Sequence, residues 1–134
     1  MNTIEKQIRQ YFAKKEEVAA VYLFGSRAQG LEKPGSDVDV AVLLYHSYLS
    51  DAQTLQKQYL AELGRILRKD IHPAVMNHAG ELLLKQILSK GKRILVKDHD
   101  FEAHFCMAAI SRIMDFQPYL SQMQQGMKKK MLEA

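Results

Sequence analysis

The chemistry legible in this chain rests on two short clusters: Gly25-Ser26-Arg27 and, with ten residues between Ser26 and its first aspartate, Asp37-Val38-Asp39. The second cluster opens an alternating run. Val38, Val40, Val42 and Leu44 share one face, and Asp37, Asp39, Ala41 and Leu43 share the other. Residues two apart on a strand point the same way, about 6.6 Å apart for a rise of roughly 3.3 Å per residue. Carboxylates so spaced can converge on magnesium, a hard cation that takes oxygen ligands and keeps places for substrate phosphates. Beside an apolar core, such a pair is costly unless a cation neutralises it. Gly25 allows close backbone approach. Backbone N–H groups and the Ser26 hydroxyl, at a strand-to-helix corner, make a small anion site. A phosphate cradle and a metal clamp on adjacent strands suit a nucleoside triphosphate.

The elements that must position these residues follow from periodicity. Val18 to Phe24 is continuous, apolar and rich in β-branched and aromatic residues, the pattern of a buried strand. Arg27-Ala28-Gln29 can start a helical turn, and Pro34-Gly35 is turn punctuation before the strand Asp37–Leu44. Upstream, Asn2 and Glu5 form a capping pair for a helix whose Ile4, Ile8, Tyr11 and Phe12 fall on one face. Lys14 to Glu17 reads as a solvated charged break. Downstream, Ser50-Asp51 starts a helix with a stripe of Leu55, Tyr59, Leu63 and Ile66 or Leu67, ending near Arg68. A third strand runs Asp70 to Met76, with Pro73 best placed at an edge or bulge. Glu81 to Lys90 is a helix stopped by Gly91, and Arg93 to Val96 is a short strand or extended segment. From Asp98 or Asp100 a long helical tail begins, which Pro118 should kink or interrupt. Its Met123, Met127 and Met131 suit an adaptable protein interface. The expected fold is α/β (α+β by a stricter count): a small mixed sheet with helices packed on one side and a C-terminal arm. Residues 1–97 form the core and residues 98–134 the arm.

Gly25-Ser26, the ten-residue spacing and Asp37-Val38-Asp39 resemble the signature of the polymerase-β-like nucleotidyltransferases. The wider segments YLFGSRAQG and SDVDVAVLL are similar to those of its minimal, MNT-type members, which are paired with HEPN-domain partners. GKRILV and the later FEAHF and MDFQPYL segments extend the likeness over most of the chain with less specific residues. The resemblance implies that Gly25, Ser26 and Arg27 contact the phosphates of ATP while Asp37 and Asp39 are catalytic and bind Mg2+. It further implies a third carboxylate on the next strand. Anchoring on the helix and Gly91 places His72 at that position, with Asp70 two residues earlier on the same face. Three readings stand open: Asp70 supplies the carboxylate through a register shift or bulge, His72 serves as ligand or general base, or the site is weakened. Magnesium's preference for oxygen ranks Asp70 first, giving a metal set of Asp37, Asp39 and Asp70.

The implied activity is transfer of AMP from ATP to a protein hydroxyl, a tyrosine on a HEPN-domain ribonuclease toxin, which makes this chain an antitoxin acting within a hetero-oligomer. The alternative is a binding antitoxin that masks the toxin with a vestigial pocket. Composition sets the remaining bounds. With 134 residues, 47% hydrophobic and 25% charged, the chain is an ordinary globular domain. A net charge of +4 suits a phosphate ligand or an acidic partner, but is too diffuse to argue for direct nucleic-acid binding. The single cysteine, Cys106, excludes an internal disulfide and fits a cytoplasmic location. No apolar run reaches membrane-spanning length.

Overall fold

In the computed structural model, residues 2–133 are described, except for the side chains of Leu120, Met123, Gln124, Met127, Lys128 and 130–133. The expected docking role of Met123, Met127 and Met131 therefore lies outside the described residues.

Helix α1 (Thr3–Ala13) begins where the Asn2 side chain accepts the Glu5 N–H at 2.9 Å, and it buries Ile8 and Phe12. Strand β1 (Val18–Phe24) is buried along almost its whole length. Strand β2 (Val38–Leu44) pairs antiparallel with β1, one residue shorter than the alternation suggests because Asp37 precedes the ladder. Helix α2 (Ala52–Leu67) then crosses over to strand β3 (Ile71–Val75), which runs parallel to β2. Parallel neighbours require such a crossover. Helix α3 (Glu81–Lys90) leads to strand β4 (Lys92–Val96), antiparallel on the other side of β1. The sheet order is β3-β2-β1-β4, so Pro73 lies on an edge strand, where its missing N–H costs no ladder bond.

Of the two readings of Arg93–Val96 the strand is the one adopted, and it joins the sheet as a fourth member beside the three expected. Helices also cover both faces of the sheet, not one. The Val38, Val40, Val42, Leu44 face packs with Ile8, Phe12, Tyr59 and Leu63 of α1 and α2. The Ala41, Leu43 face packs with Leu84 and Ile87 of α3 and Ala109 of the last helix, α4 (His99–Glu133). The small residues Ala19, Ala20 and Ala41 on this second face are what admit α3 and α4 closely. Leu67, not Ile66, completes the α2 stripe.

Several local expectations change in tertiary context. Glu17 is buried, not solvated, because the Tyr59 hydroxyl donates to its carboxylate at 2.5 Å. Gly91 caps α3 with an extended backbone, and a Cβ there would collide with the Ile87 carbonyl oxygen. Asp98 caps α4, its carboxylate accepting the Phe101 N–H at 3.0 Å. That helix continues through Pro118 without interruption. Its first turns belong to the core: the Tyr22 hydroxyl donates to buried Glu102 at 2.7 Å, and Arg93 lies 3.4 Å from the same carboxylate. No described helix is long and apolar enough to cross a membrane.

Leu63 links α2 to the sheet from full burial. Leu63→Ala should lower unfolding free energy by about 2–5 kcal/mol, read as a drop in the urea midpoint.

Candidate active site

The register of β1 against β2 builds the site. Phe24, the last residue of β1, pairs with Asp39. Gly25 follows in the left-handed region at φ +73°, turning the chain into a single 3-10 turn, Gly25–Arg27. A Cβ on Gly25 would collide with the Asp39 carboxylate oxygen Oδ2. Glycine is therefore required twice here, once for backbone conformation and once for space. The Gly25 corner and Asp39 are thereby placed in contact.

The loop between them is closed by hydrogen bonds. The Ser26 carbonyl accepts N–H groups from Gln29 and Leu31 at 3.2 and 2.9 Å. Lys33 and Ser36 form a turn in which the Lys33 N–H donates to Ser36 Oγ and the Ser36 N–H donates to the Lys33 carbonyl. Arg27 spans the loop, with Nη2 donating to the Ser36 carbonyl at 2.8 Å. Its Nε is buried without a partner among the described residues. One edge of the guanidinium is thus engaged in holding the segment that delivers Asp37.

On the other side, Asp39 pairs with His72 across the parallel β2–β3 ladder, and His72 Nε2 lies 2.9 Å from Asp37 Oδ2. The β2–β3 register is continuous from Val38–Ile71 to Val42–Val75, so no bulge moves Asp70 opposite Asp39. Asp70 instead precedes β3, its carbonyl accepting the Val38 N–H at 2.9 Å. It lines a depression of about 450 Å³ with Gly35, Gly64, Arg68 and Lys69. Among the described residues no three His, Cys, Asp or Glu side chains close around one point. The β3 side chain that touches the pair is His72.

Burial holds the Asp39 carboxyl above the ordinary carboxylate range, with His72 opposing the rise and Asp37 adding to it. A half-buried carboxylate beside a second carboxylate is a donor set whose chemistry fits a hard divalent cation, which Asp37 and Asp39 could hold. Two residues invisible to motif reading hold the supporting strands. Asn77 clasps the end of β2, accepting the Leu44 N–H at 2.9 Å and donating to the Leu44 carbonyl at 3.0 Å. Gln56 of α2 donates to the Pro73 carbonyl at 2.6 Å. Both act across sequence separations that no local pattern reveals.

A family model described as polymerase beta, nucleotidyltransferase matches residues 6–100. The chain belongs to that family. It is also 30% identical over 116 residues to the protein adenylyltransferase MntA of Shewanella oneidensis, covering 87% of this chain and 78% of that protein. Among solved structures, a chain of a toxin–antitoxin complex with AMP-PNP superposes with a TM-score of 0.72 at 25% identity, over 95% of this chain and 98% of that one. A chain from tri-AMPylated Shewanella oneidensis HEPN toxin in complex with MNT antitoxin shares the fold, with a TM-score of 0.66 at 22% identity over 96% of each chain.

Two outcomes follow from this geometry. Gly25→Ala should displace the Asp39 carboxylate and add about 1–2 kcal/mol of backbone strain. Nucleotide-dependent turnover should then fall roughly 10²-fold, as for other misplacements near 1 Å, measured by steady-state kinetics. The second concerns stability. Because the folded pKa of Asp39 is raised, its ionised form opposes folding at neutral pH, and this opposition fades as pH falls through the folded value. Without divalent ions, Asp39→Asn should melt above wild type at pH 7, and the gap should close below the ordinary aspartate value of about 3.9.

Proposed function

We propose that the protein is a cytoplasmic antitoxin nucleotidyltransferase that moves AMP from ATP to a tyrosine hydroxyl of a cognate HEPN ribonuclease toxin, neutralising it in a hetero-oligomeric complex. The observation that carries this reading is the Phe24–Asp39 pairing, which sets the Gly25-Ser26 corner against the acidic pair. Family membership and the likeness to an adenylyltransferase and to an AMP-PNP complex support the same chemistry.

In this reading the backbone at Gly25 and the Ser26 hydroxyl hold the terminal phosphates, with the positive charge of Arg27 beside them. Asp37 and Asp39 would hold Mg2+, which when bound neutralises phosphate charge and polarises the phosphoryl group. Asp39 would lie nearest the attacking hydroxyl. The tyrosine oxygen bonds to the α-phosphorus and the bond from that phosphorus to the pyrophosphate oxygen breaks. Pyrophosphate leaves with the electron pair, and the hydroxyl proton passes to solvent.

The test uses purified protein, ATP, magnesium and the cognate HEPN partner, followed by intact-mass analysis. The partner should gain one or more AMP units. Asp37→Asn and Asp39→Asn should each slow the gain by about 10²–10⁴-fold, the scale of several kcal/mol of metal-assisted stabilisation. A tight complex with unchanged partner mass would show masking instead and overturn the transfer reading.

A further inference from the structure

Resting on that reading, we infer that His72 is a positioning residue for Asp37: its Nε2–H donates to Asp37 Oδ2 and fixes the carboxylate for metal binding, without itself ligating the ion. The contact is 2.9 Å. A carboxylate only accepts, so the proton sits on Nε2, and that nitrogen has no lone pair to offer a cation while the contact holds. This takes Nε2, the ring nitrogen that faces Asp37, out of the ligand role.

The need for such a donor follows from where Asp37 stands. It lies just outside the β2 ladder, at the end of the loop that Lys33 and Ser36 close, with its side chain 49% exposed. Nothing in strand pairing selects its rotamer. Asp39, by contrast, is held by its ladder position and by the close packing of Gly25. His72 projects from a rigid post. Ile71 beside it is buried, Pro73 after it has a locked φ, and Gln56 grips the Pro73 carbonyl. Hydrogen bonds to ligating side chains orient them and raise metal affinity, and their loss weakens binding about 10–100-fold. The exposed His72–Asp37 contact contributes little to the fold, so its removal leaves the domain intact.

The experiment measures Mn2+ binding, as a visible stand-in for magnesium, by electron paramagnetic resonance on the full chain with AMP-PNP present. His72→Ala should weaken Mn2+ binding about 10–100-fold at an unchanged thermal midpoint without metal. His72→Gln, whose amide N–H can reach the same oxygen, should recover most of the loss. Wild-type affinity in His72→Ala overturns the inference, as does a Gln variant no better than Ala. Restoration by His72→Asp but not by His72→Gln would identify a direct ligand position and also overturn it. Failure of the wild-type chain to bind Mn2+ would refute the metal reading of the site itself, a result distinct from failure of the His72 variants alone.

Discussion

The structure depends on one close approach: the backbone of Gly25 against the carboxylate of Asp39. It follows from a strand register, since Phe24 pairs with Asp39 and the chain must turn at the next residue. Only glycine satisfies both the left-handed φ and the missing Cβ volume at that turn. The candidate site is arranged around that contact. The serine corner lies on one side of it, the second aspartate lies two residues earlier, just ahead of β2, and His72 stands across the ladder.

The rest of the fold keeps that register from slipping. β1 is central and buried on both faces, so a one-residue shift would exchange the two packed faces of the sheet. Larger side chains on the α1–α2 face and alanines on the α3–α4 face make such an exchange sterically costly. Buried acids fasten the helices and the link before β1 to this core. Glu5 takes Lys92, Glu17 takes Tyr59, and Glu102 takes Tyr22 and Arg93. Each joins segments distant in the chain and satisfies a group that would otherwise oppose folding.

Against this rigid frame the acidic pair is a local tension. Asp39 is half-buried next to another carboxylate, an arrangement that raises its proton affinity and weakens the unliganded fold. Sites that bind cations commonly carry such a penalty in the empty protein. The two aspartates differ in how they are held. Packing restrains Asp39, whereas Asp37 relies on its hydrogen bond to a neighbouring strand.

The sequence by itself determined what is local. Period-two alternation placed Asp39 on the Ala41 and Leu43 face of β2 with Asp37 just ahead of that strand, the Asn2–Glu5 cap marked the start of α1, and turn residues marked the Gly25–Arg27 corner. Those features depend on backbone geometry within a few residues. Tertiary structure decided which β3 residue meets the pair, because parallel register between β2 and β3 is set by α2 packing and by the Gln56 and Asn77 clasps. It likewise decided that β4 joins β1, that helices cover both sheet faces, and that Glu17 is buried. A chain's periodicity shows which side of an element is apolar. The partner that covers that side is chosen only when distant segments compete for it, and His72 stands beside Asp39 because β3 was the segment that docked there.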